Sequence, residues 1–336
     1  MKETKQIPYF NILKFFLAFF VVLGHSFNSY VSDPTIKGIF LFLYAFHMPL
    51  FIFLAGFFGK YSRGKVVRFL IFYVILQVIH ILLKVFVTTP KEYSSSQIVD
   101  LIVEPQWTVW FLLAYAVWIL SLKFIKKVKC WHIVLAIVVA LAVGFVPFVG
   151  KPFTLSRIFY YYPFFLLGKK MRGRDSQDFV CKLKKIQTPL VRIVSLCVFV
   201  LALALLITFG GEMKKSFFYG RDPYSSPIEL LYRIIALATG AILGFSFMMI
   251  VPVNSGDCWQ GKFSPQQLGI RSLSIYMFHP IILVFFNKLF DLHSYPTIVI
   301  ICVFVIVSVA LTYISAIKPL HKFVNFDIGK FRKNKQ

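Results

Sequence analysis

The chain has 336 residues, of which 58% are hydrophobic and 15% charged, with a mean hydropathy of +0.76. A soluble domain of this length is neither so apolar nor so poor in charge, so a water-soluble globular enzyme is excluded. Lys and Arg outnumber Asp and Glu by 37 to 13, for a net charge of +24; in so apolar a chain this reads as loop charge that orients a membrane protein, not as a nucleic-acid footprint.

Apolar runs of about 20 residues, enough to cross a bilayer, recur along the whole length. They predict an all-α, polytopic integral membrane bundle forming one domain over 1–336, with about ten transmembrane helices. In chain order the expected spans are 9–30, 37–58, 66–88, 107–122, 131–149, 153–168, 190–210, 228–251, 272–290 and 296–318, followed by a basic tail, 319–336. The weak alternation of a membrane β-barrel is absent. The first run is basic and then apolar like a signal peptide, but it is long and lacks a small-residue cleavage site, so a retained span is expected. An even number of spans puts both termini on one side. The segments YSRGKVVR (61–68), KFIKKVK (123–129) and 169–187 then share that side with the tail. The connections at 31–37, 88–97, 150–153, 211–227 and 291–296 fall on the other. Long basic runs occur on the first side only, which makes it cytoplasmic and suits it to contact with anionic lipid. Cys130, Cys181, Cys197, Cys258 and Cys302 show no pairing pattern or metal-ligand spacing, so neither disulfides nor a metal is expected.

Polar residues within spans are costly and tend to mark function. In the first span Asn11, Lys14, Ala18, Val21 and His25 return to one helical face. His25 lies about 16 Å beyond Lys14 along the axis, in the outer half of the membrane. Lys14 either snorkels to the inner surface or lines an interior path. His25 either bonds a neighbouring helix or moves protons, for which imidazole is the side chain best poised. In FHMPLFIFLAGFF (46–58), Pro49 should kink the helix, Gly56 permits close approach, and His47 sits at mid-membrane in a structural or a functional role. Arg63, Lys65 and Arg68 at the inner boundary either anchor the topology or clamp the phosphates of a nucleotide-bearing donor. Trp107 and Trp110 fit an aromatic belt or a platform for a sugar ring, and Arg157 either snorkels or holds an acceptor. Glu229 and Arg233 are spaced to pair, and Gly240 and Gly244 form a GxxxG. Ser272, Tyr276 and His279 share one face, with Ser274 nearly opposite; the patch is either interhelical glue or an interior site.

In order and spacing these segments resemble the membrane acyltransferase-3 family, and within it the fucose 4-O-acetylase-like branch. The resemblance rests on N-x-x-K followed by VVLGH (Asn11 to His25), FHMPLFIFLAGF (Phe46 to Phe57), R-x-K-x-x-R (Arg63 to Arg68) and SLSIYMFH (Ser272 to His279). The Trp-Phe-Leu at 110–112 and PFFLLG at 163–168 are similar too. The resemblance implies a bacterial cytoplasmic-membrane enzyme that moves an acyl group, usually acetyl, from cytoplasmic acyl-CoA to a hydroxyl, often on a capsule or exopolysaccharide sugar. It implies a catalytic His25, a donor-side basic segment at Arg63, Lys65 and Arg68, and a late patch at Ser272, Tyr276 and His279. Asn11 stands where an Asp is common, which removes a carboxylate partner for Lys14. Ala55 replaces a usual Ser, and Phe72 a frequent Pro. The outer hydrolase-like domain fused in some relatives is not expected here, so outer-face work is expected to fall to the bundle or to a partner.

The combined expectation is that acyl-CoA docks at Arg63, Lys65 and Arg68 and reaches past Lys14 to His25. An acceptor sugar enters past Trp107, Trp110 and Arg157. His25 serves either as general base or as transient acyl carrier, with Tyr276, His279 or Lys14 steadying the oxyanion. The competing class is a transporter or flippase for a glycan or lipid-linked precursor, which would need no acyl-CoA and leaves the motif set unexplained.

Overall fold

The computed structural model describes residues 8–89, 93–173, 176–254, 261 and 264–325. Cys258 and the greater part of the basic tail, 326–336, lie outside the described residues. All regular structure described is helical: α1 Pro8–Phe27, α2 Pro34–Phe57, α3 Arg63–Leu83 with a π-turn at Lys84–Thr88, α4 Ser95–Val103, α5 Trp110–Ser121, α6 Cys130–Ala142, α7 Leu155–Met171, α8 Ser176–Ile186, α9 Pro189–Phe209, α10 Ile228–Ile250, α11 Pro265–Ile270, α12 Ser272–Leu289, α13 Thr297–Ser315 and α14 Lys318–Val324. Seven of these described helices (α1, α2, α3 with its π-turn, α9, α10, α12 and α13) are long and apolar enough to cross a membrane. The protein is a polytopic membrane bundle, as its apolar runs predict.

The expected spans at 107–122, 131–149 and 153–168 take the form of shorter helices, α5, α6 and α7. Their outer ends are broken by irregular backbone. Trp107 (φ 49°), Phe153 (φ 47°) and Thr154 (φ 55°) adopt the left-handed conformation, which halts a helix, and α6 gives way to 3-10 turns at Val143–Phe145 and Pro147–Val149. Non-helical backbone at membrane depth is tolerated where it is buried in protein or lines a cavity. The break at Trp107 lines the site described below.

α2 is the central helix. Asp33 caps it, accepting from the Ile36 amide at 3.0 Å, and also accepts from Thr297 at 2.5 Å, which ties α2 to the start of α13. Its apolar residues are buried on nearly all sides, whereas α9 exposes Leu190, Ile193, Leu201 and Leu205 to the surroundings. Such exposed aliphatic faces, present also on α3, α6 and α13, are what a helix turns toward lipid. Two glycines seal α2 to α7. A methyl group at Gly56 would stand 1.9 Å from the Phe165 carbonyl oxygen, and one at Gly168 would stand 1.9 Å from that of Phe53. On the opposite side, Gly240 of α10 lets that helix meet the Pro49 ring; its added methyl would lie 2.8 Å from the ring carbon. Pro49 and Gly56 are thus packing residues of α2.

At the end of the bundle that carries the basic clusters, the rings of Phe10, Phe57, Phe58 and Phe179 pack together at 4.8 to 6.2 Å between centroids. Lys169 donates to the Gly59 carbonyl there at 2.7 Å.

Glu229 and Arg233 do not pair with each other. Glu229 accepts from Lys214 at 2.6 Å and from Ser225, while Arg233 donates to the carbonyls of Ala140 and Asp222 at 3.2 and 2.8 Å. Ala140 lies in the last turn of α6, where carbonyls lack intrahelical partners. Tyr224 donates to the neighbouring Leu141 carbonyl at 2.9 Å. Arg233 therefore serves as a cap for another helix. Cys130, Cys181, Cys197 and Cys302 are free and exposed.

Candidate functional site

His25 sits near the end of α1, half-buried, on the wall of a cavity of about 410 Å³. The cavity lies at the end of the bundle opposite the basic clusters. Its wall is assembled from α1, α2, the π-turn after α3, the turn preceding α5, α7, α12 and the 213–224 connection. π-turns inside helices recur at functional sites, and this one brings Lys84 into the wall.

Three imidazoles cluster here. The His279 ring is wholly buried behind His25, 5.4 Å away between centroids and tilted by 50°. His279 Nδ1 bonds the Ile275 carbonyl at 2.8 Å. A carbonyl only accepts, so Nδ1 carries the proton and Nε2 is left as an acceptor. That Nε2 is buried without a partner among the described residues. His47 is held in the same manner, its Nδ1 on the Leu43 carbonyl, and its ring meets the edge of Tyr44 at 4.9 Å. The His25 side chain has no hydrogen-bond partner among the described residues, and its ring neighbours both His279 and Tyr44.

The opposite wall is aromatic and cationic. The Arg157 guanidinium lies 4.9 Å from the Trp110 ring centre and 5.4 Å from that of Tyr219. Trp110 also stacks on Tyr161 at 5.5 Å, and is only 7% exposed. It forms a bed for Arg157 and has little open face for a sugar. Trp107, at 36% exposure, offers the open ring. Tyr276 lines the cavity, but its hydroxyl donates to the Thr108 carbonyl at 2.8 Å and holds the Trp107 turn against α12. The donor protons of Tyr276 and His279 are therefore both engaged, and neither points a free N–H or O–H at His25.

Lys14 lies at the other end of α1. Its ammonium donates to Asn11 Oδ1 at 3.3 Å and lies 4.6 Å from the Phe58 ring centre. The amide oxygen of Asn11 stands in for a carboxylate as acceptor, and Asn11 Nδ2 is buried without a partner among the described residues. Arg63 and Lys65 are exposed in the first turns of α3, and Arg68 is half-buried one turn on. Ser272 is buried at the start of α12.

The structure thus brings His25, His47, Trp107, Trp110, Arg157 and Tyr276 to one cavity, with His279 directly behind. Asn11, Lys14, Arg63, Lys65, Arg68 and Ser272 lie toward the opposite end. Sequence reasoning did not single out Tyr44, Lys84, Glu104, Tyr161, Lys215, Tyr219 or Arg221, all of which line the cavity. Tyr161 lies one helical turn after Arg157, a spacing that could have found it. Burial and the neighbouring Arg221 hold the Lys215 ammonium below its ordinary value.

The acyltransferase domain that defines the acyltransferase 3 family matches residues 7–317, a stretch that takes in α1 to α13 and every residue of the cavity wall. The chain belongs to the acyltransferase 3 family. It is therefore a membrane-bound acyltransferase, and the match is to the family as a whole, without resolving a branch within it. Comparison with curated proteins and with solved structures returned no match. In this acyltransferase 3 protein, the half-buried His25 presents an imidazole without a side-chain hydrogen-bond partner among the described residues to a chamber of about 410 Å³.

Proposed function

We propose that this acyltransferase 3 protein moves an acetyl group from cytoplasmic acetyl-CoA to a hydroxyl of a cell-surface glycan sugar, with His25 at the reacting centre, in a bacterial cytoplasmic membrane. The observation that carries the reading is the placement of the two ends of α1. Lys14 stands at the basic end and His25 stands in the cavity at the other.

The phosphates of CoA meet Arg63, Lys65 and Arg68, where charge-assisted hydrogen bonds favour anionic oxygens. The pantetheine arm, long and thin, follows the face of α1 that begins at Lys14. The acceptor enters from the outer side, its ring against Trp107. His25 takes the hydroxyl proton as the oxygen attacks the thioester carbonyl carbon; the carbon–sulfur bond breaks, and the CoA thiolate leaves with the proton returned by the imidazolium. In this reading His279 Nε2, unbonded among the described residues and beside His25, accepts an N–H from His25 and leaves the other His25 nitrogen for the acceptor. In the two-step variant His25 itself carries the acetyl group, and an acyl-enzyme burst without acceptor distinguishes it.

The test is NMR of O-acetyl groups on the producing cell's surface glycan, in a deletion strain complemented with wild type or with His25→Ala. Acetylation lost on deletion, restored by wild type and absent with a well-expressed His25→Ala protein is the expected result. Equal acetylation with His25→Ala would remove His25 from the chemistry. Acetylation unchanged by the deletion itself would remove the glycan.

A further inference from the structure

The chamber beside His25 is lined by four cations, Lys84, Arg157, Lys215 and Arg221, and by one carboxylate, Glu104. The cations are not equally compensated. Arg221 is neutralised, pairing with Glu104 at 3.2 Å and with Asp222 at 2.9 Å. Lys84 donates to the Gln106 side-chain oxygen at 3.1 Å, and Lys215 to the Asn28 carbonyl at 3.3 Å. Those neutral acceptors orient an ammonium and leave its charge in place. Arg157 has neither an acidic partner nor a hydrogen-bond acceptor among the described residues. It is held only by the faces of Trp110 and Tyr219. Ring faces bed a guanidinium without engaging its five N–H donors in hydrogen bonds to an acceptor, and Arg157 lines the chamber.

A guanidinium withdrawn from water without a counter-ion is unfavourable, and the glycan-processing reading of the site names a molecule that could supply one. We propose that the acceptor is anionic: a sugar bearing a carboxylate or phosphate group seats that group on Arg157, with Lys215 and Lys84 adding to the field at the mouth. A hydroxyl of the same or an adjacent sugar then reaches His25. The inference rests on the acyl-transfer reading of this cavity and adds the class of glycan it takes. The fork of Arg157 suits two oxygens of one planar or tetrahedral anion, a geometry a lone ammonium does not provide. The same charge arrangement disfavours amino sugars carrying a free ammonium.

The experiment is binding without turnover. Full-length His25→Ala protein in nanodiscs of zwitterionic lipid is titrated calorimetrically with galacturonic acid tetramer, with that tetramer carboxyl-reduced to galactose, and with a galactose tetramer carrying one phosphate monoester. At least one anionic probe is expected to bind about tenfold or more tightly than the neutral one, with affinity rising as salt is lowered. The ranking of the two anions tells carboxylate from phosphate. Arg157→Gln is expected to abolish the preference for the anionic probes, while Arg157→Lys keeps part of it; the salt dependence of the protein that retains Arg157 tests the same charge without any substitution there. Equal affinities, no saturable binding of either anion, or a preference intact in Arg157→Gln overturns the proposal. No donor is present, so the result is separate from the acyl-transfer reading. Selective anion binding with no acetyl transfer by the His25 protein would remove the transferase assignment alone, and transfer confined to neutral glycans would remove the anion alone.

Discussion

The His279 ring stands 5.4 Å from that of His25 with its Nδ1 fixed on the Ile275 carbonyl and its Nε2 unbonded. A buried acceptor next to a half-exposed imidazole is the arrangement that can hold one nitrogen of His25 protonated and free the other. His279→Phe keeps the bulk and removes the acceptor. It should lower kcat by about tenfold, against about 100-fold or more for His25→Ala, with KM for both substrates nearly constant. The alkaline and acid limbs of the pH–rate profile should also move. Steady-state kinetics in nanodiscs checks this, and a His279→Phe enzyme with an unaltered pH profile would reduce His279 to packing.

Tyr276 gives a contrasting case. Its hydroxyl is bonded to the Thr108 carbonyl, so Tyr276→Phe should cost about 1 kcal/mol of stability and less than tenfold in kcat. Thermal unfolding and initial rates measured together decide the matter. A fall of 100-fold with an unchanged unfolding midpoint would make Tyr276 a participant in the chemistry.

The contact of α2 with α7 leaves no room at Gly56 or Gly168. Gly56→Ala should lower stability by about 1–3 kcal/mol or more, because the atom in the way is backbone and cannot rotate aside. The Gly56→Ala, Gly168→Ala double variant should lose less than the sum, since separating the helices once relieves both clashes. Unfolding midpoints in detergent provide the check, and strictly additive losses would mean the two contacts yield independently.

Neutralising Arg63, Lys65 and Arg68 together should raise KM for acetyl-CoA by about tenfold or more and leave KM for the acceptor unchanged. The shift should shrink as salt is raised. A change in acceptor KM instead would place the donor elsewhere.

Much of this architecture was legible in the sequence, because apolar run length answers directly to bilayer thickness. The face of α1 running from Asn11 to His25 was legible too, since helical periodicity alone aligns it. The outer breaks around α5, α6 and α7 were not. Hydropathy responds to side chains, and Trp107, Phe153 and Thr154 interrupt helices through backbone conformation while looking apolar enough to continue them. Spacing misled at Glu229 and Arg233, because the neighbouring connection offered Lys214 to one, while α6 and that connection each offered a carbonyl, of Ala140 and Asp222, to the other. In a chain with 40 Phe and 16 Tyr, the aromatic wall of Tyr44, Tyr161 and Tyr219 carried no contrast. Lys215 and Arg221 lie in a connection whose return over the cavity is a tertiary event.

The packed rings of Phe10, Phe57, Phe58 and Phe179 close the basic end of the bundle with material that neither ions nor water favour. None of these four rings lines the chamber at His25, so the cluster is a separate apolar layer toward the other end of α1. A slender, uncharged chain enters such an apolar layer at lower cost than a hydrated sugar or a file of water does.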